Sequence, residues 1–163
     1  MKDYLALTKP RIAVMVMATT ALGYLLSGAE TSARLCWTVL ATGLAAGACG
    51  SLNQWLERIP DGLMKRTLGR PLPSGRISSL RALAFGLALG STSLTLLSLR
   101  SGMLAAALTA ATMVSYVAIY TPLKAVTPHT TWIGAAAGAA PPLIGWAAAQ
   151  GSLPSRAWVL FAI

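Results

Sequence analysis

Three side chains with oxygen ligands recur at intervals of four residues near the end of an apolar run. Asn53, Glu57 and Asp61 occupy positions i, i+4 and i+8. On a helix that spacing places them along one face, with a drift of about 40° at each step. Amide and carboxylate oxygens are hard ligands that suit Mg²⁺, which also bridges to the phosphates of a substrate. The pattern therefore indicates a candidate magnesium site that faces a phosphorylated ligand.

A run of cations follows these acidic residues. Lys65, Arg66 and Arg70 come soon after Asp61 in the chain. Arginine offers a phosphate group two parallel hydrogen bonds, and lysine offers it a point charge. Metal-holding carboxylates followed by such cations are typical of a diphosphate site.

A plainer interpretation of the same acidic residues stays open. A helix that leaves a membrane ends in polar residues in any case. Glu57 and Asp61 would then form surface ion pairs with Arg58 or Lys65 and bind nothing.

Pro60 interrupts the helical spacing of the acidic residues. It has no backbone N–H, and in a continuous helix its ring would clash with the carbonyl of Leu56. We therefore expect the helix to kink or stop near Ile59. Asp61 would then reach the site from an irregular turn.

The composition excludes a water-soluble domain as the scaffold for these residues. Hydrophobic residues make up 55% of the 163-residue chain and charged residues only 10%, whereas soluble domains carry about 25% charge. Thirteen basic and four acidic residues give a net charge of +9. Because the basic residues lie between apolar runs, membrane topology explains them better than nucleic acid does, and we expect no nucleic-acid partner.

Five apolar runs are long enough to cross a hydrocarbon core of about 30 Å as helices. They lack the alternation of a transmembrane barrel, so the sequence predicts an all-α polytopic transmembrane helical bundle. The runs cover about residues 12–28, 35–55, 80–99, 103–120 and 131–149. A sixth run begins near Pro154 and reaches Ile163, which we interpret as the start of a sixth span in a truncated chain.

The basic residues also predict an orientation in the lipid bilayer. With the N-terminus in the cytoplasm, ten Lys and Arg residues fall in cytoplasmic segments. The three on the other side are Arg34, Arg100 and Arg156. This positive-inside bias predicts an integral protein of the cell (inner or plasma) membrane with a cytoplasmic N-terminus.

Several stretches of the chain resemble one family. They are NQWLERIPDGLMKRTLGRPLPSGR at 53–76, LTKPR at 7–11, YTPLK at 120–124 and GAAAGAAPPLIGW at 134–146. Together they are similar to the haem branch of the UbiA superfamily of intramembrane prenyltransferases, the protohaem IX farnesyltransferase family. The resemblance covers nearly the whole chain. It implies that residues 1–163 form the N-terminal part of a single UbiA-like membrane domain.

The resemblance also implies an activity. The family transfers a farnesyl group from farnesyl diphosphate to a vinyl group of haem B, giving haem O, with haem as a substrate and not a cofactor. Asn53, Glu57 and Asp61 would be the catalytic residues that hold Mg²⁺ against the diphosphate, with Glu57 where the commoner motif has Asp. The residues implied to bind the diphosphate are Lys65, Arg66, Arg70, Tyr120 and Lys124.

Relatives in this family are implied to carry more than the present chain. They have a second acidic motif after a sixth span and about nine spans in all, so we expect the 163-residue chain to be inactive alone. Two alternatives stay open. One is another UbiA enzyme that prenylates an aromatic acid or a quinone precursor. The other is a non-catalytic transport or channel subunit in which the acidic residues line a path.

Overall fold

A computed structural model describes residues 1–124 and 126–162 of the chain. The described residues form helices and turns without β-strands, which confirms the predicted all-α class. The helices are α1 (Lys2–Leu7), α2 (Pro10–Leu26), α3 (Ala33–Leu56), α4 (Arg58–Leu63), α5 (Ser79–Arg100), α6 (Met103–Val114), a π-helical turn (Ser115–Tyr120), α7 (Thr121–Leu123), α8 (Thr130–Gln150) and α9 (Ser155–Ala162).

The helices lie where the apolar runs predict them. α2, α3, α5, the continuous stretch from α6 to α7, and α8 correspond to the five runs, and α9 lies in the sixth. Within residues 1–124 and 126–162, three stretches are long and apolar enough to cross a membrane: Ala33–Leu56, Ser79–Arg100 and Met103–Leu123. α2 is a shorter apolar helix of 17 residues. The class of an integral helical membrane protein therefore holds, while the count of five spans stays a prediction.

α3 lies at the centre of the bundle, between α2 and α5. Two buried hydroxyl groups connect α3 to α5: Ser51 Oγ donates to the carbonyl of Ala82 at 3.0 Å, and Ser93 Oγ donates to the carbonyl of Ala41 at 2.7 Å. Such interhelical bonds contribute about 0.6 kcal/mol each on average in a membrane protein. They fix the register of α3, which carries Asn53 and ends one residue before Glu57.

α2 and α8 pack with their backbones in contact. A Cβ added at Gly145 would lie 2.0 Å from the carbonyl oxygen of Thr20, and one added at Gly23 would lie 2.1 Å from that of Pro142. Glycine is required at both positions, because any side chain would force the helices apart. This contact closes the bundle on the side opposite α5.

The chain breaks its helix at Glu57, earlier than predicted. α3 ends one residue before Glu57, whose φ and ψ of −87° and 2° are not helical, and α4 begins one residue after it. Pro60 lies in the first turn of α4, where a backbone N–H would have no partner within the helix. Proline therefore costs no hydrogen bond there. The predicted kink near Ile59 is therefore displaced, and Asp61 lies on a short helix instead of an irregular turn.

Candidate active site

Asn53 is the most enclosed of the three oxygen-donor residues, with 1% of its surface exposed. Its Oδ1 accepts a hydrogen bond from Lys9 Nζ at 2.5 Å, and its Nδ2 donates to Thr121 Oγ1 at 3.3 Å. These contacts come from the residue before α2 and from the start of α7. Asn53 therefore joins three separate parts of the chain at the end of α3.

Glu57 forms an ion pair with Lys124. The carboxylate is the more enclosed partner, since 16% of the Glu57 side chain is exposed against 36% for Lys124. The ammonium group of Lys124 also lies 5.7 Å from the centre of the Tyr120 ring, a cation–π contact. The structure thus brings Glu57 together with two residues predicted from a distant stretch of the sequence.

Asp61 is buried, with 2% of its surface exposed. Its Oδ2 accepts a hydrogen bond from Arg70 Nη1 at 2.5 Å, and Thr67 Oγ1 donates to its backbone carbonyl at 2.7 Å. A carboxylate is seldom buried without a charged partner, and Arg70 supplies that partner.

The surface ion pairs of the plainer interpretation do not form among the described residues. The acidic side chains pair with Lys124 and Arg70 and not with Arg58 or Lys65. Arg58 instead donates to the carbonyl of Trp55 at 2.7 Å and lies over its ring.

A π-helical turn sets the register of the residues that face Asn53 and Glu57. Thr121, the first residue after this turn, donates from Oγ1 to the carbonyl of Tyr116 at 2.8 Å while accepting from Asn53. A π turn holds one extra residue, so it shifts the side chains that follow it, and such turns are frequent at functional sites. Here it directs Thr121 and Lys124 toward the end of α3.

Tyr116 and Tyr120 stack on each other but contact different parts of the protein. Their rings stack with centres 5.3 Å apart. Tyr120, predicted to face the site, packs against α8, where a Cβ at Gly134 would lie 2.8 Å from its ring. Tyr116, which sequence reasoning missed, lines an apolar cavity.

This apolar cavity lies between α2, α3, α6, the π turn and α8 and has a volume of about 170 Å³. Its walls are mostly small or apolar side chains. Among the described residues that line it, Lys9 is the only charged one. Residues that line it include Val16, Ala45, Ala46, Cys49, Met113, Tyr116, Ala137 and Ile144. The cavity suits a flexible hydrocarbon chain that carries its charge at one end.

A second cavity adjoins the first and is cationic. Lys9 and Ile12 line both of them. Arg66, Arg70, Arg76 and Gln54 line the second cavity. The predicted residue Arg66 therefore faces the site, whereas Lys65 is exposed and lines neither of these two cavities.

Comparison with known proteins decides the family. The sequence profile of the UbiA prenyltransferase family matches residues 16–163. The chain belongs to this family.

Three curated relatives of this UbiA-family chain are named "Protoheme IX farnesyltransferase", one of them with the addition "mitochondrial". The relative from Solibacter usitatus is 45% identical over 174 residues, which cover 100% of this chain and 60% of that protein. The one from Acidiphilium cryptum is 48% identical over 99% of this chain and 51% of the relative. The mitochondrial protein of Arabidopsis thaliana is 43% identical over 96% and 37%. The chain thus spans about half the length of the curated relatives it matches.

Two solved structures share the UbiA fold with this chain. One, from a study of digeranylgeranylglyceryl phosphate synthase, has a TM-score of 0.87 at 22% identity and covers 98% of this chain and 56% of the other. The second, a UbiA homologue from Archaeoglobus fulgidus bound to DMAPP and Mg²⁺, has a TM-score of 0.75 at 16% identity over 98% and 59%. These likenesses establish the helical arrangement of the UbiA-family chain.

Lys9 is a second residue of this UbiA-family site that sequence reasoning missed. The sequence places it among the cytoplasmic charges and in the LTKPR stretch at 7–11 that carries the family resemblance, but neither feature assigns it a role at the site. Burial lowers the pKa of its ammonium group, and the nearby Arg70 lowers it further. Four charged side chains of the site shift the pKa of Lys9: Arg70 and Lys124 lower it, and Glu57 and Asp61 raise it.

The oxygen donors of the UbiA-family chain fit Mg²⁺ by their chemistry. Asn53, Glu57 and Asp61 offer one amide and two carboxylate groups, which are the hard ligands that this ion prefers. No group of three His, Cys, Asp or Glu side chains that could hold a metal occurs in residues 1–124 and 126–162. An ion held here would take two carboxylates and one amide from the protein and its remaining ligands from water and substrate phosphates.

Proposed function

We propose that this chain carries the prenyl-diphosphate site of an enzyme that transfers a farnesyl group from farnesyl diphosphate to a vinyl group of haem B, giving haem O. One observation carries the proposal. Asn53, Glu57 and Asp61 each meet a cation from another part of the chain, and one of those cations, Lys9, lines an apolar cavity. Relatives named "Protoheme IX farnesyltransferase" at 45–48% identity support haem B as the acceptor.

The apolar cavity would hold the farnesyl tail. Each buried CH₂ group contributes about 0.8 kcal/mol, so the tail supplies much of the binding energy without any polar contact. The diphosphate would then lie beside Lys9, at the charged end of the cavity. Arg66 and Arg70 line the adjoining cationic cavity and would neutralise the diphosphate from its other side.

Asn53, Glu57 and Asp61 would hold Mg²⁺ in this enzyme. The homologue of Archaeoglobus fulgidus, which has the same fold and binds DMAPP and Mg²⁺, supports that assignment. When bound, the ion supplies positive charge that stabilises the departing diphosphate. Arg70 and Lys124 form ion pairs with the two carboxylates and hold them in place.

The residue types at the site agree with this reaction. The allylic C–O bond of farnesyl diphosphate breaks, and its electron pair leaves with the diphosphate. The π electrons of a vinyl group of haem B then form the bond to the farnesyl carbon, and the neighbouring vinyl carbon takes a hydroxyl group from water, which releases a proton. Charge stabilisation is the main requirement, and Arg66, Arg70 and Lys124 would provide it without a protein nucleophile.

We further propose that the site faces the cytoplasm, with the N-terminus on the same side of the cell membrane. The cations that line the second cavity all lie at one end of the bundle, next to α1 and to the turns between α4 and α5. Cytoplasmic segments of membrane proteins are enriched in such residues. Both diphosphate and haem B would then arrive from the cytoplasmic side.

A chimaeric enzyme tests the acceptor. Residues 1–163 replace the matching part of the Solibacter usitatus relative, and purified chimaera receives farnesyl diphosphate with either haem B or 4-hydroxybenzoate. We expect haem O from haem B, detected by mass spectrometry, and no prenylated benzoate. Prenylation of 4-hydroxybenzoate with no haem O would contradict the proposal and favour an aromatic prenyltransferase.

A further inference from the structure

We propose that Lys9 binds the diphosphate of the prenyl donor, and that the backbone around it is built to hold its ammonium group where the two cavities meet. This inference rests on the proposed function. It adds a residue that lies outside both the acidic motif and the cations that follow that motif in sequence.

The backbone of Lys9 has an unfavourable conformation. Its φ and ψ are 50° and 64°, in the left-handed region, and it is the only described residue other than glycine with a positive φ. The residue before a proline also favours an extended backbone, and Pro10 follows directly. Holding the backbone of a residue other than glycine in this region costs free energy, and residues in such conformations cluster at functional sites.

Contacts with α3 hold the backbone before Lys9 in place. Gly50 of α3 lets the end of α1 pack directly against the α3 backbone, because a Cβ at Gly50 would lie 2.8 Å from the carbonyl oxygen of Leu7. Gln54 Nε2 donates to the carbonyls of Ala6 and Leu7, at 3.2 Å each. Leu7 itself is fully buried. The end of α1 is therefore fixed to α3 by packing and by hydrogen bonds.

The ammonium group of Lys9 lies at the boundary between hydrocarbon and charge. It donates one hydrogen bond to Asn53 Oδ1, and an ammonium has three donors. Lys9 lines the apolar cavity, where it is the only charged residue among those described, and also the cationic cavity with Arg70 and Arg76. A farnesyl tail in the first cavity must place its diphosphate at this boundary, where Lys9 can bind it.

Ligand binding to the 163-residue chain in lipid nanodiscs tests this role. The probes are tritiated farnesyl diphosphate with Mg²⁺ and tritiated farnesol, which has the same tail without the charge. We expect Lys9→Gln to weaken farnesyl diphosphate binding at least tenfold and to leave farnesol binding within twofold. Lys9→Arg should recover part of the loss. The matched control is Arg11→Gln, which removes the same charge from an exposed side chain two residues away and should bind as wild type does.

A second variant tests the positioning of Lys9 with its side chain intact. Gly50→Ala pushes the end of α1 away from α3 and should lower the affinity for farnesyl diphosphate more than that for farnesol. Lys9→Gln that binds farnesyl diphosphate as tightly as wild type would overturn the inference. So would an equal loss of both ligands, which would indicate a structural role alone. A wild-type chain that does not prefer farnesyl diphosphate to farnesol would overturn this inference and the proposed function together.

Discussion

Each acidic side chain of the site is paired with a basic one, and the pair between Asp61 and Arg70 is the more deeply buried on its acidic side. Asp61 is almost fully buried, and Arg70, with 26% of its side chain exposed, supplies the opposite charge at 2.5 Å. Breaking a buried ion pair by removing one partner costs about 3–5 kcal/mol, because the remaining charge stays desolvated. Losing both charges together costs much less. The ion pair between Asp61 and Arg70 therefore stabilises the turns that follow α4, and it also keeps the Asp61 carboxylate at the site.

Arg70→Gln measures this compensation. We expect it to lower the free energy of unfolding in mixed micelles by about 3 kcal/mol, since the Asp61 carboxylate loses its partner. The double variant Asp61→Asn with Arg70→Gln should recover more than half of that loss. A double variant no more stable than Arg70→Gln alone would show that the pair does not support the fold.

Helices as elements could be predicted from the sequence, but the exact positions of their interruptions could not. The apolar runs give the positions of α2, α3, α5 and α8, because length and hydropathy are local properties. Pro60 indicates a break near Ile59, but the break lies at Glu57. The π turn precedes Thr121, which contacts Asn53 from 68 residues away in the chain. Lys9 was missed for a related reason, since its charge already had an explanation in membrane topology.

The contact between α2 and α8 gives a prediction at this scale. Gly145→Ala should lower the free energy of unfolding by about 3 kcal/mol, because its Cβ would meet the backbone of Thr20 at 2.0 Å and overpacking costs about 1–3 kcal/mol or more. Gly138→Ala on the same helix is the matched control. No atom lies within 4 Å of its added Cβ, so stability should change by less than about 0.5 kcal/mol. Equal effects of the two variants would contradict the close backbone packing.

The molecule as a whole carries one coherent set of binding features within half the length of its relatives. An apolar cavity, a cationic cavity and three oxygen donors adjoin one another at the end of α3. The resemblance stated from the sequence implies that relatives have a second acidic motif beyond the length covered here. We therefore expect this chain to bind the prenyl tail and the diphosphate, and we expect turnover to need the second acidic motif that the resemblance implies.

For the whole molecule, we predict that the chain binds farnesyl diphosphate without catalysing its transfer. The 163-residue chain in nanodiscs should bind farnesyl diphosphate but give no haem O from haem B. The chimaera with the Solibacter usitatus relative should give haem O under the same conditions. Haem O from the chain alone would show that its own residues suffice for catalysis and would contradict the expected need for a second motif.

Binding of farnesyl diphosphate by Asp61→Asn, in the presence and absence of Mg²⁺, tests the central claim most directly. The substitution keeps the shape of the side chain and an oxygen for Arg70 while removing the charge that would hold the metal. Glu30→Gln, which makes the same change at an exposed position outside the site, serves as the control. We expect Mg²⁺ to strengthen binding at least tenfold in wild type and Glu30→Gln, and to have little effect in Asp61→Asn. An equal effect of Mg²⁺ in all three proteins would contradict a magnesium–diphosphate site and favour a path for transport.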